Sequence, residues 1–287
     1  MSCEVTGLTV DVAARRHVPA RRIVDGVSLR VGDGERVGLV GPSGSGKSMV
    51  ARSVVGILPP HLAVGGSVKL GGTEMVGAGD EVAADLRGRY VSMVFQNPGS
   101  ALNPVRTVGQ AISLPLVMHY DLEPGDVHDR VLRAMRSVEL PERLTGAYPH
   151  QLSGGQRQRV AIAAALVTSP RLIIADEPTT ALDAIVQREI VDLLVSLVDD
   201  LGASLLFITH DFSVLAHATT RCYVMDAGRV VEEGATQGIL RRPRSSVARL
   251  LVRAANELSL HGEGPDGADM TEAGGTTGGT TGGRGER

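Results

Sequence analysis

Gly41-Pro42-Ser43-Gly44-Ser45-Gly46-Lys47-Ser48 has the spacing G-x-x-x-x-G-K-S. Such a loop is built to hold a polyphosphate. Its successive N–H groups must turn inward onto phosphate oxygens, and glycine allows both the backbone angles and the close approach. A helix opening at the end of the loop adds partial positive charge. Lys47 then brings a full charge to the β- and γ-phosphates, and Ser48 presents a hydroxyl to Mg²⁺. A second constellation follows an apolar run, where Leu172-Ile173-Ile174-Ala175 leads straight into Asp176-Glu177. A buried strand ending in two carboxylates sets them at the edge of a sheet. In a parallel α/β fold the phosphate loop lies at that same edge. Asp176 is placed to hold Mg²⁺ beside Ser48, and Glu177 to polarise an attacking water as general base.

A third constellation is Leu152-Ser153-Gly154-Gly155-Gln156, running into the strong helix former Arg157–Leu166. Ser153 suits an N-cap. The two glycines then expose helix N-terminal N–H groups with no side chains in the way, which makes a second anion site. Two phosphate-directed sites in one chain make sense when two chains share a nucleotide. Each motif alone has a plain structural alternative: a glycine turn with an incidental lysine, two solvated carboxylates, or a capped helix whose glycines permit close packing. The phosphate loop by itself also leaves kinases, GTPases and helicases open. The order of all three in one chain outweighs those alternatives.

These residues need strands and helices to carry them. Val5–Val12 and Gly26–Val31 alternate as half-buried strands do. Arg36–Val40 is a short apolar strand ahead of the phosphate loop, and a helix follows from Gly46 to about Val55. Gly65–Gly72 and Val91–Phe95 read as further strands. From about Val105 to Val167 the pattern is helical, with Val127, Val131, Met135 and Val138 on one face. Leu172–Ala175 and Leu205–Ile208 are fully apolar strands separated by the helical Ile185–Val198, which points to a parallel α/β sheet interrupted by a helical insert. Cys222–Met225 and Arg229–Val231 flank Asp226-Ala227-Gly228 as a hairpin.

The chain has 287 residues, 43% of them hydrophobic, a net charge of −3 and a pI near 6.2. That is enough for a large core and lacks the basic excess of a nucleic-acid binder. Aromatics at 2% leave few stacking platforms for bases. The two cysteines, Cys3 and Cys222, have no metal-type spacing and suit a reducing compartment. The N-terminal stretch lacks a signal-peptide core. Val160–Val167 is far shorter than the roughly 20 residues needed to span a bilayer. The expectation is a soluble chain whose membrane role comes through partners. Residues 256–287 are Gly/Thr-rich and are expected to be a disordered tail.

The motif order resembles the nucleotide-binding domain of ABC ATPases over about residues 4–255. The resemblance implies an α/β P-loop NTPase fold with an antiparallel β subdomain and a helical subdomain inserted at about 100–165. It also implies roles for further residues. Val94-Phe95-Gln96 resembles the Q-loop, with Gln96 touching Mg²⁺ or the water and sensing a transmembrane partner. Glu177-Pro178-Thr179-Thr180-Ala181-Leu182-Asp183 resembles the catalytic Glu running into the D-loop, and Phe207-Ile208-Thr209-His210-Asp211 the switch region, with His210 near the γ-phosphate. ATP would lie between the phosphate loop of one subunit and Ser153, Gly154, Gly155 and Gln156 of another.

Phe95-Gln96-Asn97-Pro98, Ala101-Leu102-Asn103-Pro104, Tyr148-Pro149-His150-Gln151 and Pro178-Thr179-Thr180-Ala181-Leu182-Asp183 narrow the resemblance to the peptide/nickel import branch. Ile239–Leu251 is a weakened version of that branch's tail, and its shortness leans to the nickel type. Many members carry cysteines there for an iron–sulfur cluster; none follows Cys222, so no cluster is expected. The resemblance implies ATP and Mg²⁺ as ligands, a second ATPase subunit (a copy or a paralogue), two transmembrane permease subunits and, indirectly, an extracytoplasmic solute-binding protein. It places the chain on the cytoplasmic face of the membrane and implies no nucleic-acid partner. A soluble ABC ATPase of DNA repair or translation is the rival, disfavoured because the roughly one hundred residues between Lys47 and Ser153 hold no heptads and no cysteines.

One departure stands out. Family members stack adenine on an aromatic residue upstream of the phosphate loop, and here no Phe, Trp or Tyr precedes Tyr90. His17 or the stems of Arg15 or Arg16 are the substitutes at hand. GTP is therefore expected to compete with ATP better than is usual for the family. Displacement of a fluorescent ATP analogue by each nucleotide checks this, and a strong preference for ATP would contradict it.

Overall fold

The computed structural model describes residues 1–14, 19–180 and 182–262. His17, Arg15, Arg16 and the Gly/Thr-rich stretch from 263 lie outside the described residues. The chain opens with β1 (Cys3–Val12) and β2 (Arg21–Val31), passes through β3 (Arg36–Val40) and α1 (Lys47–Val54), and returns in β4 (Leu62–Leu70) and β5 (Thr73–Glu74). Then come α2 (Asp80–Leu86) and β6 (Val91–Val94), followed by α3 (Pro98–Ala101), α4 (Val108–His119), α5 (Pro124–Ser137) and α6 (Gly154–Leu166). β7 (Leu172–Asp176), α7 (Ala184–Leu201), β8 (Ser204–Thr209), α8 (Phe212–Ala218), β9 (Arg221–Asp226), β10 (Arg229–Ala235), α9 (Thr236–Arg241) and α10 (Ser246–Gly262) complete it.

Two sheets result. One has four strands in the order β2-β1-β4-β5, all antiparallel, with Val24, Val27, Leu29 and Val31 turned inward from β2. The other has six strands in the order β10-β9-β3-β8-β7-β6, parallel except at the β10 edge. This is the α/β architecture with an antiparallel sheet and a helical insert that the sequence implies. Every residue of β7 and β8 is buried, because both faces of the parallel sheet are covered. The strand period of two divides the core between those faces. Ile173, Ala175, Leu205 and Phe207 pack under the helical insert, and Leu172, Ile174, Leu206 and Ile208 pack towards the antiparallel sheet and α1.

The register decides where the functional residues come out. Val40 pairs with Thr209, Val94 with Ala175, and Asp176 with Ile208. The carboxyl ends of β3, β6, β7 and β8 therefore finish level, and the segments carrying Gly41, Gln96, Glu177 and His210 all leave the sheet at one edge. In the insert, α5 buries Val131 and Met135, with Val138 at its end, as the expected face requires. α2, α8 and α9 have only six or seven residues each, too few to show a helical period in the sequence. Packing holds them instead: Phe212, Leu215 and Ala218 of α8 are buried on β3 and β8.

β9 and β10 form the expected hairpin, with Asp226 opposite Arg229 and a two-residue turn of Ala227 (φ 42) and Gly228 (φ 84). Both central residues have positive φ, the I′ geometry that matches strand twist. The turn also serves the phosphate loop, since the Gly228 N–H donates to the Ser45 carbonyl at 3.0 Å. Ala227 is exposed and occupies a conformation that Asn tolerates better. Ala227→Asn is expected to stabilise the fold by about 1 kcal/mol, read as a higher urea midpoint with an unchanged slope.

Candidate functional site

The phosphate loop leaves β3 and closes onto α1. Gly46 is the N-cap of α1 with φ 101, a conformation essentially reserved for glycine. Gly41 has no room for a side chain, because a Cβ there would lie 2.3 Å from the Met225 carbonyl oxygen. The loop is thus seated against the end of β9. Lys47 is 4% exposed and donates to the carbonyl oxygens of Gly41 (2.8 Å) and Pro42 (3.1 Å). Burial pushes its pKa down, while the carboxylates of Glu177 and Asp176 partly restore the charge. The Ser45 hydroxyl is buried and has no hydrogen-bond partner among the described residues.

Asp176 ends β7 and is 3% exposed. Ser48 Oγ donates to its Oδ1 at 3.0 Å. Burial raises the Asp176 pKa and the neighbouring Glu177 adds to that, while the hydrogen bond from Ser48 opposes it. A hydroxyl and a carboxylate held together on hard oxygen atoms form a donor set suited to Mg²⁺.

Glu177 stands one residue beyond the strand at φ 46, in the left-handed region where a non-glycine residue is strained. Its N–H donates to the Ile208 carbonyl (2.8 Å), which ties the kink to β8. The bend turns the carboxylate in among Gln96, Thr180, His210 and Lys47. Gln96 Nε2 lies 3.1 Å from Oε2, Thr180 Oγ1 3.0 Å and His210 Nδ1 3.3 Å from the same oxygen. The other oxygen is 3.9 Å from Lys47 Nζ. A carboxylate fixed this way can accept a proton from a water hydrogen-bonded to it.

Ser153 is the N-cap of α6. Its Oγ accepts from the Gln156 N–H (3.2 Å), and Gln156 Oε1 accepts from the Ser153 N–H (3.0 Å), a reciprocal capping box. Gly154 and Gly155 open the helix, where a Cβ would lie 3.4 Å from Leu182 and 3.1 Å from Val186. Asp183 caps α7 by accepting from the Val186 N–H at 3.0 Å. One chain therefore brings Lys47, Ser48, Gln96, Asp176, Glu177 and His210 into a single cluster, together with Gly41, Pro42, Ser43, Gly44, Ser45 and Gly46. Ser153, Gly154, Gly155, Gln156 and Asp183 stand apart from its hydrogen bonds.

Two features escape a linear reading. Thr180 is the first: its hydroxyl holds both the main-chain carbonyl of Glu177 (3.2 Å) and the side chain. A Thr three residues after the carboxylate is a usable turn signal. The second is an apolar groove of about 450 Å³ between the core and the insert, lined by Ile57, Met93, Phe95, Leu102, Leu114 and Ala161 among others. Nothing local marks it, because its walls come from segments far apart in the chain.

The family model described as ABC transporter matches residues 24–180. The chain is 40% identical over 237 residues to the probable peptide ABC transporter ATP-binding protein y4tR of Sinorhizobium fredii, covering 81% of this chain and 71% of that one. It is 46% identical over 226 residues to the oligopeptide transport ATP-binding protein OppD of Mycobacterium tuberculosis, where it spans only 37% of the longer relative. Among solved structures, the post-hydrolysis dimer of the ATP-binding cassette MJ0796 bound to ADP and Pi aligns with a TM-score of 0.73 at 30% identity, over 82% of this chain and 98% of that one. CbiO1 of Clostridium perfringens, part of the transporter complex cbiONQ, aligns with a TM-score of 0.69 at 28% identity, over 89% and 100%. With a lysine-bearing phosphate loop, a hydroxyl–carboxylate pair and a caged glutamate converging at one sheet edge, the chain belongs to the ABC transporter family, as an ATP-binding and ATP-hydrolysing subunit that energises transport.

Proposed function

We propose that the chain drives import of peptides from the cytoplasmic face of a membrane, paired with a second ATPase subunit and docked on two permease subunits. The observation that carries this reading is the bond from Gln96 to Glu177 (3.1 Å). Gln96 is exposed and directly follows Phe95, which lines the apolar groove, so one short segment touches both the carboxylate and an open apolar groove where a partner would fit. Val105 (76% exposed) and Val117 (64%) line a second groove that shares Arg106 and Leu114 with the first. No helix among the described residues is long and apolar enough to cross a membrane, so a membrane task calls for partners. Peptide is the favoured cargo because the relatives y4tR and OppD are described as peptide and oligopeptide transport proteins. A nickel complex is the second cargo to test, and a solute-binding protein outside the membrane delivers either one.

Within the site, Lys47 and the loop N–H groups grip the phosphates of ATP. Ser48 and Asp176, with Gln96 nearby, hold Mg²⁺, which neutralises phosphate charge when bound. Glu177 takes the proton of the attacking water, oriented by Gln96, Thr180 and His210. Ser153, Gly154, Gly155 and Gln156 close over the nucleotide of the other subunit, and Asp183 lies at the junction. The ATPase domain is taken to span about 4–255 with its helical part at about 100–165, although α10 runs on to Gly262, past the boundary expected for a disordered tail.

Glu177→Gln is expected to keep ATP affinity and to lower phosphate release about 10²–10⁴-fold, leaving a nucleotide-bound dimer visible by size-exclusion chromatography. Near-normal turnover would remove Glu177 as the base. Affinity purification from detergent-solubilised membranes is expected to recover integral membrane subunits. Uptake of labelled dipeptide against nickel by vesicles carrying that complex then decides the cargo, and recovery of ribosomal or DNA-repair proteins instead would overturn the transport reading.

A further inference from the structure

Gln158 sits in the second turn of α6 and is 1% exposed, yet its Nε2 has no hydrogen-bond partner among the described residues. A buried amide donor left unpaired costs free energy, so such a group in a folded protein calls for a reason. Gln158 lines a cleft of about 280 Å³ together with the segment Gln96-Asn97-Pro98-Gly99. Leu182, from the loop after Glu177, lines the same cleft and packs at Gly154. The cleft thus lies where the segment bonded to the carboxylate, the start of α6 and the loop after the carboxylate meet.

The Gln96–Gly99 segment brings main-chain carbonyl acceptors to the cleft. Pro98 has no N–H, and the Gly99 N–H is already given to Asn97 Oδ1 at 2.9 Å. The carbonyl of Pro98 accepts from Leu102 at 3.0 Å, and a carbonyl oxygen that accepts one hydrogen bond can accept a second. Arg157, the other polar donor from α6 in the cleft, places its Nη1 on the Leu152 carbonyl at 2.9 Å. The unpaired amide of Gln158 and the segment's carbonyls thus belong to one cleft, as donor and acceptors.

We propose that Gln158 is a positioning residue for Gln96: its amide takes a main-chain carbonyl of the Gln96–Gly99 segment as partner when nucleotide draws the helical insert onto the core. The bond exists in the closed form and is unmade in the open one, so it favours closure and fixes the segment that carries Gln96 to Glu177. The inference rests on the reading of that segment as the link between the site and the permease.

The test is hydrogen exchange of the full-length Glu177→Gln protein, with and without MgATP, compared with the same protein also carrying Gln158→Met. Methionine keeps the shape and removes the amide; Gln158→Leu serves as a second variant. The apo thermal midpoint should be unchanged or higher, since no unpaired amide remains, and ATP affinity should be unchanged. The ATP-induced protection of residues 96–104 should fall about fivefold, the worth of one ordinary hydrogen bond. In the intact transporter carrying Glu177, cargo-stimulated hydrolysis should fall with KM for ATP unaltered. Unchanged protection in both variants overturns the proposal, and so does a lower apo midpoint, which would mark a structural glutamine. If the parent itself shows no ATP-dependent protection at 96–104, the transmission reading fails, and the proposal falls with it.

Discussion

One carboxylate oxygen of Glu177 is met by side chains from three separate segments, and the site depends on holding it still. Gln96 follows β6, His210 follows β8, and Thr180 comes from the loop that Glu177 itself opens. Such a convergence demands that the strands finish level, which the parallel register of β3, β8, β7 and β6 supplies. It also demands a bend directly after β7, and the positive φ of Glu177 is that bend. Strain of this kind persists where the surroundings hold it in place. Here the Glu177 N–H on Ile208 and the Thr180 hydroxyl on the Glu177 carbonyl do so.

Burial governs the charges around that carboxylate. Lys47 and Asp176 are almost fully enclosed, and enclosure acts against the charged form of each. Their proximity offsets part of that cost, and hydrogen bonds to the loop carbonyls and Ser48 offset more. A site that balances one ammonium against two carboxylates in this way is prepared for a ligand carrying both phosphate and a divalent cation. The hairpin turn at Ala227-Gly228 and the Met225 carbonyl press on the loop from behind, so loop geometry depends on strands far along the chain.

The same arrangement ties chemistry to a surface. Phe95 and Gln96 are adjacent, one on the apolar groove and one on the carboxylate. The cleft lined by Gln158 adjoins the same segment, and the proposed bond would give its buried amide a use.

By itself the sequence determined the phosphate loop, the Asp176-Glu177 pair at a strand end and the Ser153 cap of α6. Each is a local pattern whose neighbours in the chain impose it: an apolar strand, a glycine turn, a helix with a capping hydroxyl. It also determined the central strands and the amphipathic face of α5, since periods of two and 3.6 are written into contiguous residues. It left α2, α8 and α9 unmarked, because helices of six or seven residues take their stability from packing. Only the tertiary structure decided that Thr180 joins the donors on Glu177, that Met225 and Gly228 brace the phosphate loop, and that Gln158 and Gln96 line one cleft. Those facts come from residues tens to hundreds of positions apart, and their meeting depends on strand register and on how the insert folds back onto the sheet.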